Sequence, residues 1–315
     1  MPINIGSGNI VKIYKGNSQI SKVYLGNTPI WSGFGEFAKF IDTSGSPGAT
    51  FPINDLDGNI MADLDKGIAY YGTVSHTDLY TADVLASTVG VTQGIGSSDS
   101  NIHDEAVWHK YYWNNGIHFW RKPIRRSTSW NAIWEEGAVF GTGTDISRKG
   151  YKPTDFQGPN LTGIAQDATI TKNGVTYAVR LMEGSTTEPT SNGGSALHGS
   201  EFNLILMNLH AATNSGSYSD SPTDGVSYAN WTDTANYIND DFVGWKTNLG
   251  DSDFTVTGDG RFKWQQETSS TRPERRLLRG GDHLSGAFPF IATRVATNIG
   301  WAPVLTVKHS SFTYE

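Results

Sequence analysis

The segments RRLLRGGDHLS (residues 275–285) and NIGWAPVLTV (298–307) decide the predicted fold of the C-terminal part of this chain. Each contains a short apolar run with glycine beside it, which is typical of strands joined by turns. Alternation along the first strand places Leu277 on the opposite side from Arg276 and Leu278. The run Arg-Arg-Leu-Leu-Arg is also a basic cluster. We interpret it as a core strand whose arginines pair with buried acids or carbonyl groups, rather than as a binding patch.

The composition of the chain indicates many short strands. Its 315 residues include 36 glycines, with 37% hydrophobic and only 17% charged residues. This composition is typical of strands connected by turns and long surface loops. Asn-Gly turns between β-favouring runs predict two hairpins, one within residues 107–126 and one within 168–184. We therefore predict an α+β, β-rich chain.

Three short helices are expected between the strands. SWNAIWEEG (129–137) predicts a helix with Ser129 as its N-cap and Gly137 as its C-cap. SEFNLILMNLHAA (200–212) has apolar residues at helical spacing and begins with a serine that can cap it. A further short helix is predicted around Tyr80–Ser87.

Charge and composition exclude several classes of function. The net charge of −7 disfavours binding to nucleic acid or to an anionic membrane surface. The absence of cysteine excludes disulfides, thiolate metal sites and thiol nucleophiles. No signal peptide is visible, and no apolar run is long enough to span a bilayer. If the protein acts outside a cell, we expect host lysis or another route to release it.

The N-terminal residues repeat one ten-residue phrase, VKIYKGNSQI (11–20) and then SKVYLGNTPI (21–30). Gly-Asn between β-favouring residues predicts a tight turn in each copy. Residues 1–34 are therefore expected to form a small three-stranded β-meander that ends at Trp31. So short a segment can hardly build its own core without a disulfide or a metal. It is expected to pack either on the body of this chain or on a partner.

From about residue 70 onward, the order of several phrases resembles a group of phage virion proteins that are described as tail or virion structural proteins. The phrases are YYGTV…LASTVG (70–90), KPIRRSTSWNAI…GAVFGTG (122–143), YAVRLMEG (177–184), SEFNLILMNL (200–209), WQQETS (264–269) and the two C-terminal segments. Those two segments also look like the C-terminal signature of the C-type-lectin-like fold, which formylglycine-generating enzymes and variable phage adhesins share. In that signature, a strand with Arg-Gly-Gly precedes a variable loop and a closing Ile-Gly-aromatic strand.

The resemblance implies a C-type-lectin-like domain over residues 101–315. SWNAIWEEG and SEFNLILMNL would be its helices, and RRLLRGG and WAPVLTV its paired core strands. Residues 35–100 would form a β-rich linker or spacer, and residues 1–34 would be an attachment module. We nominate three aromatic residues for attachment to other virion proteins: Tyr14, Tyr24 and Trp31.

The resemblance also implies a non-enzymatic role in the virion. The leading hypothesis is a tail-fibre or head-fibre adhesin that binds a host-surface glycan or protein and assembles as a homo-oligomer. It would be made in the host cytoplasm, released by lysis and located in the virion. One alternative is a purely structural decoration or connector protein. An alternative from another class is a glycan-degrading tail enzyme.

In the variable phage adhesins, the stretch between the two C-terminal segments presents the side chains that face the ligand. Carried over to this sequence, with two aromatic residues from a preceding loop, the resemblance nominates Asp282, His283, Phe288, Phe290, Arg294, Tyr228 and Trp231. Aromatic rings with an arginine suit either sugar stacking or contact with a protein. Phe288 and Phe290 are two residues apart and therefore share one face of a strand. Whether that face is exposed or buried stays open.

The sequence gives little sign of catalysis or of a metal centre. The chemistry of the formylglycine-generating enzymes needs cysteines, which this chain lacks, and its eight histidines include no H-x-x-x-H or H-x-H pair. Aspartates within 55–59 and 251–259 leave calcium open, although turns explain such patterns better. Glu135 and Glu136 are adjacent on a helix and diverge by about 100°, so they cannot flank one glycosidic bond. We expect no cofactor, no metal and no enzymatic activity.

Overall fold

The structure is a computed structural model of the chain. It describes residues 37–98, 102–141, 164–185, 199–210, 241, 243–254, 262–268, 275–280 and 287–308, and the backbone of four strands between residues 13 and 32. The contacts divide the chain into two compact units, Met1–Ile41 and Asp42–Glu315. The protein is β-rich with few helices, in agreement with the predicted α+β class.

The N-terminal unit contains two antiparallel hairpins rather than the predicted three-stranded meander. Strands β1 (Ile13–Lys15) and β2 (Ser18–Ile20) form one ladder, and β3 (Lys22–Leu25) and β4 (Thr28–Ser32) form the other. Lys15 opposite Ser18 and Leu25 opposite Thr28 are equivalent positions of the ten-residue repeat. The predicted middle strand is therefore divided, with β2 and β3 each pairing inside its own copy of the repeat.

The larger unit contains the remaining strands and the helices. In chain order the strands are β5 (Ala62–Asp63), β6 (Ile68–Val74), β7 (Trp108–Trp113), β8 (Gly116–Trp120), β9 (Arg125–Arg126), β10 (Thr169–Lys172), β11 (Val175–Leu181), β12 (Phe262–Thr268), β13 (Arg275–Gly280), β14 (Ala287–Ile291), β15 (Ile299–Trp301) and β16 (Pro303–Val307). A seven-stranded sheet has the order β10-β11-β16-β8-β7-β6-β5, and a five-stranded sheet has the order β14-β13-β12-β15-β9. All described strand pairs are antiparallel except β12 with β15.

Both predicted hairpins of the seven-stranded sheet are confirmed. Asn114 and Asn115 have positive φ between β7 and β8, and Asn173 and Gly174 have positive φ between β10 and β11. Two consecutive positive φ values give the turn whose twist matches that of the flanking strands, and asparagine and glycine adopt it at little cost.

The described helices are short. They are α1 (Ala82–Val89), α2 (Trp130–Glu135), a π-helix (Phe202–Met207) and α3 (Asp251–Phe254), with a 3-10 turn at Ala38–Phe40 in the N-terminal unit. The helices predicted around Tyr80–Ser87 and within 129–137 are confirmed with small shifts of their ends, and Glu136 rather than Gly137 is the C-cap of the latter. The segment predicted as a helix over 200–212 forms the π-helix, and its residues 211–212 lie outside the described part of the chain. The hydroxyl oxygen of Ser129 accepts the Ala132 N–H, as an N-cap does, and that of Ser200 accepts the Asn203 N–H.

The central strands of the seven-stranded sheet are buried on both faces. One face carries Tyr111 and Trp120 and packs against the π-helix and α3 in the main hydrophobic core. The opposite face carries Lys110 and Phe119, which are also fully buried. Burial on both sides explains why these strands have long aromatic and apolar runs instead of a clean alternation with polar residues.

The two C-terminal segments form strands, but not as one pair. RRLLRGG forms β13, which lies between β12 and β14, whereas most of WAPVLTV forms β16 in the other sheet, between β11 and β8. The predicted pairing of RRLLRGG with WAPVLTV is therefore wrong. The chain leaves the five-stranded sheet after Trp301 and enters the seven-stranded sheet at Pro303, with only the buried Ala302 between them. A strand that changes sheets cannot be recognised from its apolar pattern, because both halves are buried.

The boundary predicted at residue 100 does not separate two folding units. Strand β6, from the predicted 35–100 spacer, is paired with β7, from the predicted 101–315 domain, and both belong to the seven-stranded sheet. Within the described ranges, no helix is both long and apolar enough to cross a membrane.

Candidate functional site

The candidate ligand-binding surface lies at one edge of the five-stranded sheet. Strand β14 is the terminal strand of that sheet, and a tight turn follows it, closed by a 2.9 Å hydrogen bond from the Arg294 N–H to the Ile291 carbonyl. We call the exposed side chains of Phe290, Ile291, Arg294 and Val295 the β14 surface. Phe290 is 38% exposed, and Ile291 and Val295 are each 47% exposed. Phe290 and Ile291 are consecutive residues of β14 and point to opposite faces of the strand, so the part of this surface whose members contact each other is the pair Phe290 and Arg294.

Two members of the β14 surface, Phe290 and Arg294, contact each other. The guanidinium carbon of Arg294 lies 5.8 Å from the centroid of the Phe290 ring, within the range of a cation–π contact. Among the described residues, Arg294 forms no side-chain hydrogen bond or ion pair. No described group competes for its N–H groups, and the Phe290 ring limits where the guanidinium can lie.

Buried anchors hold the β14 surface in place. Ala292 and Ile299, at the two ends of the turn segment, are almost completely buried. The Ala292 carbonyl accepts the N–H of Asn131 in α2, and the Ile299 N–H donates to the Ala296 carbonyl. These anchors fix the backbone between them, so a ligand that binds here would not have to order it first.

The edge strands of the two sheets differ in what contacts their backbone. At β9, Ile95 forms two backbone hydrogen bonds with Arg126 and covers that edge. At β10, the Tyr80 hydroxyl donates to the Thr171 carbonyl. Strand β14 instead contains Pro289, whose ring nitrogen has no hydrogen to donate. Proline on an edge strand discourages pairing with a further strand. A ligand is therefore expected to contact the side chains of the β14 surface rather than extend the sheet.

The structure places some of the nominated residues on this surface and leaves others undescribed. Phe290 and Arg294 contact each other and are exposed, so Phe290 lies on an exposed rather than a buried face of its strand. Phe288 lies in β14, but the structure does not describe its side chain. Four nominated ligand residues lie outside the described part of the chain: Asp282, His283, Tyr228 and Trp231. The nominated attachment residues Tyr14, Tyr24 and Trp31 lie in β1, β3 and β4, and only their backbones are described.

Two members of the β14 surface, Ile291 and Val295, are absent from the predicted site. The residues nominated through the resemblance are aromatic or charged, which is typical of ligand contacts, and include no aliphatic residue. A signal was available in the turn after β14. Val295 follows the turn, so it does not continue the alternation of β14, whereas Ile291 is the last paired residue of that strand and lies on the face opposite to Phe290.

A second polar cluster lies deep in the core, where Arg180, Glu201, His118, Tyr111 and Thr306 form a buried network. Arg180 uses all five of its N–H groups, in hydrogen bonds of 2.6–3.0 Å to Glu201, His118 Nδ1, the Thr306 hydroxyl and the Leu181 carbonyl. The Glu201 carboxylate accepts from Arg180 and also from the Tyr111 hydroxyl at 2.6 Å and the Glu183 N–H at 2.9 Å. Every acceptor direction of this carboxylate is used.

The strand register creates the buried network. His118 is directly opposite Thr306 on β16 and Tyr111 on β7, and Arg180 on β11 reaches the same row diagonally. Glu201 immediately precedes the π-helix. The network thus ties four neighbouring strands to the element that covers them. Since it is satisfied internally, we interpret it as a structural device.

Burial and charge set the ionisation of the network. Burial alone would raise the pKa of Glu201, but the charge and hydrogen bonds of Arg180 outweigh it and lower that pKa below its ordinary value. Burial, assisted by the charge of Arg180, lowers the pKa of His118 to about 4. His118 Nε2 lies 2.8 Å from the Trp113 carbonyl, which can only accept, so Nε2 carries the hydrogen and Nδ1 accepts from Arg180.

A buried ion pair occupies the opposite face of the same sheet. Lys110 Nζ lies 2.6 Å from Asp42 Oδ2, and it also donates to the carbonyls of Pro47 and Ala49. Burial would raise the pKa of Asp42, but hydrogen bonds from Lys110 and from two serines lower it instead. The pair fastens the loop that opens the larger unit onto the sheet, which is again a structural role.

Two of the three arginines of β13, Arg276 and Arg279, are buried as the sequence predicts, and Arg275 is partly exposed. Arg279 donates to the Gly184 carbonyl and to the side-chain oxygen of Asn203, each at 2.7 Å, and its guanidinium lies 4.3 Å from the Phe202 ring centroid. Arg276 stacks over Trp130 at 4.5 Å. The interpretation of the basic cluster as a core strand is confirmed for these two arginines, with carbonyl and amide oxygens as the acceptors.

Metal binding finds little support in the described residues. Nowhere in the described part do three or more histidine, aspartate or glutamate side chains come together as they would around a metal ion. Asp55 Oδ1 accepts the N–H groups of Asp57 and Asn59, so this segment is a turn that its own aspartate stabilises. Asp57 forms an ion pair with Lys246. The expectation that the chain binds no metal stays a prediction.

Comparison of the chain with protein-family models, with curated proteins and with solved structures found no match. Its function therefore has to be inferred from the described geometry and from the order of its sequence phrases. The polar groups of the buried network are satisfied by one another, whereas the side chains of the β14 surface are exposed to solvent. Among the described residues, the β14 surface is therefore our candidate for contact with another molecule.

Proposed function

We propose that the chain is a phage virion structural protein, namely a tail-fibre or head-fibre adhesin that binds the host surface through the β14 surface. The observation that carries the proposal is the pair Phe290 and Arg294, exposed at a sheet edge and held on a turn with buried anchors. Arginine and aromatic residues are enriched among the residues that contribute most to binding. The order of phrases from residue 70 onward, which resembles phage virion proteins, supplies the biological setting.

The same proposal assigns residues 101–315 to the C-type-lectin-like fold. Helix α2 and the π-helix precede β13, which ends in Arg279 and Gly280, and the exposed β14 segment follows before β15 closes with Ile-Gly-Trp. This is the order that the resemblance implies. The separation of β13 from β16 departs from it, since the expected core pair is replaced by β13 with β12 and β14.

The N-terminal repeat is proposed to attach the chain to other virion proteins. Its two hairpins belong to a compact unit distinct from Asp42–Glu315. Two-stranded hairpins are marginal by themselves, so each needs a surface to cover it. Tyr14, Tyr24 and Trp31 are proposed to contribute to that contact, and the chain is proposed to assemble as a homo-oligomer.

The rival functions make different demands on the structure. A purely structural decoration protein would need no exposed ligand surface, so the β14 surface favours the adhesin. A glycan-degrading enzyme would need two available carboxylates about 5–10 Å apart. The fully buried Asp42 and Glu201 are both engaged by cations and hydrogen bonds, and neither is available for such a role.

Two experiments test the proposed function. Antibodies raised against the chain should label intact virions in electron micrographs, and deleting residues 1–34 from the phage gene should give virions without the label. The fluorescently labelled, full-length chain should bind saturably to cells of a strain that these virions infect. Labelled virions without any cell binding by the folded chain would favour the structural decoration role. Absence of the chain from virions would refute the proposal altogether.

A further inference from the structure

We propose that Lys110 and Asp42 become joined covalently in the folded chain, through an amide bond between the lysine Nζ and the aspartate Cγ. The inference goes beyond the proposed function and rests on the contacts of this buried pair alone. The bond forms when Nζ attacks Cγ, and Oδ2 leaves as water with two of the three protons of the ammonium group. The third proton stays on the new amide nitrogen. The ion pair thus becomes one amide and one water molecule, with no further reactant.

The two reacting groups are held in contact and shielded from bulk solvent. Lys110 Nζ lies 2.6 Å from Asp42 Oδ2, and the two side chains are 0% and 1% exposed. The ring centroids of Tyr71 and Phe119 lie 5.4 and 5.7 Å from the same Nζ, so aromatic groups surround it. Well-oriented groups within one molecule react as if each were present at about 10⁵–10⁸ M. Burial also protects the product, because hydrolysis of the amide needs water at Cγ.

The loop that begins at Asp42 supplies the hydrogen bonds that the reaction needs. The Ser44 N–H donates at 2.8 Å to Oδ1, the oxygen that gains negative charge when Nζ attacks Cγ. The Ser46 hydroxyl donates at 2.6 Å to Oδ2, the oxygen that leaves. The carbonyl groups of Pro47 and Ala49 accept from the lysine Nζ at 2.9 and 2.8 Å and fix its position.

The reaction starts from the neutral pair, which forms when one proton moves from Nζ to the carboxylate along their hydrogen bond. Burial disfavours both charges of the ion pair. It lowers the pKa of Lys110, which favours the neutral amine. Burial also opposes the charge of Asp42, although hydrogen bonds from Lys110 and from two serines hold that pKa below its ordinary value. The neutral pair is therefore the minor form. A minor form suffices, because the amide has to form only once in each chain.

A second lysine–aspartate pair separates the effect of burial from that of contact. Lys246 Nζ lies 2.5 Å from Asp57 Oδ2, but these side chains are 60% and 50% exposed. Water stabilises both charges there and competes for the aspartate, so no amide is expected between them. The wild-type chain therefore contains a control with the same two functional groups at a similar distance.

Mass spectrometry of the folded, full-length chain tests the proposal. The intact mass is expected to be lower, by one water molecule, than the mass calculated from the sequence with or without Met1. Trypsin does not cleave after an amidated lysine, so digestion should give peptide 40–66 joined to peptide 67–121. Fragmentation of this product should place the bond at Asp42 rather than at Asp57. An intact mass without the loss of water, in a chain that unfolds cooperatively on heating, would overturn the proposal, and so would a bond at Asp57.

Variants identify the reacting groups. Lys110→Arg keeps the positive charge, but a guanidinium does not form this amide, so the variant should have its full calculated mass. Asp42→Asn can react in the same way with ammonia as the leaving group, and its mass should fall by one ammonia instead of one water. Lys246→Arg changes the exposed pair and should retain the loss of water. Loss of water from either Lys110→Arg or Asp42→Asn would overturn the proposal, because other groups would then have reacted.

Discussion

Replacing Glu201 with glutamine tests whether the buried network stabilises the larger unit. The change keeps the volume of the side chain but removes the charge opposite Arg180 and turns one acceptor into a donor. In the wild type, Arg180 donates to both carboxylate oxygens, at 2.6 and 2.7 Å, so the new amide N–H₂ would either face the guanidinium or disturb the Tyr111 and Glu183 contacts. The fully buried guanidinium would then lack its counter-charge.

The expected cost of Glu201→Gln is about 3–5 kcal/mol, which is the usual range when one partner of a buried pair is removed. For a unit of this size, each kcal/mol lowers the melting temperature by about 2–4 °C, so the melting temperature should fall by roughly 6–20 °C. Thermal unfolding followed by tryptophan fluorescence and by circular dichroism measures the change. Trp113, whose carbonyl accepts from His118, makes the fluorescence sensitive to this region.

A matched control and a double variant make the measurement decisive. Glu135→Gln makes the same chemical change at an exposed position and should alter stability by no more than about 0.5 kcal/mol. Combining Glu201→Gln with Arg180→Met removes both charges, so the two costs should fail to add by about 1–3 kcal/mol. If Glu201→Gln costs no more than Glu135→Gln, or if the two changes simply add, the stabilising role of the network is wrong.

Two further predictions concern acid stability and a loop. Burial lowers the pKa of both His109 and His118 from 6.5 to about 4, so the unfolded chain binds protons that the folded chain excludes. The free energy of unfolding should therefore fall by about 3 kcal/mol for each histidine between about pH 6.5 and pH 4. Urea titrations that give a constant midpoint across this range would contradict this. Gly94→Ala should destabilise the larger unit by about 1–3 kcal/mol, because Gly94 has φ +90° and an added Cβ would overlap the Arg126 carbonyl oxygen. Gly58→Ala, at φ +88° in open space, is the control and should cost less. Equal melting temperatures for the two variants would show that the overlap is unimportant.

Local features of the fold could be predicted because their cause is local. The hairpin turns at Asn115 and Asn173 follow from residues that accept positive φ, and the helix at Trp130–Glu135 follows from a serine cap and a short apolar pattern. The division of the N-terminal repeat into two hairpins was missed. The sequence around Ser21 is equally compatible with one continuous middle strand.

The arrangement of strands could not be predicted, because it depends on contacts between distant residues. His118 meets Thr306 across 188 positions, and the buried charges Arg180 and Glu201 look like ordinary surface residues in the sequence. Strands buried on both faces lack the alternation that indicates a register. The passage of the chain from one sheet to the other at Ala302 could not be predicted either, because the strands on both sides of it are buried.

The candidate site was predictable in part. Phe290 and Arg294 were nominated through the resemblance, and the structure adds their exposure, their mutual contact and their apolar neighbours Ile291 and Val295. Exposure of a residue on an edge strand depends on which strand forms the edge. That is decided by the pairing of β13 with β14, which the sequence does not reveal.

Competition with infection tests the central proposal most directly, namely that the β14 surface mediates attachment of a virion to its host. Cells of an infected strain are incubated with an excess of the purified full-length chain before virions are added, and plaques are counted. The wild-type chain should reduce plaque number in proportion to its occupancy of the cells, and the double variant Phe290→Ala with Arg294→Glu should leave plaque number unchanged. Equal inhibition by both chains, or no inhibition by a wild-type chain that is folded and saturates the cells, would contradict the proposal.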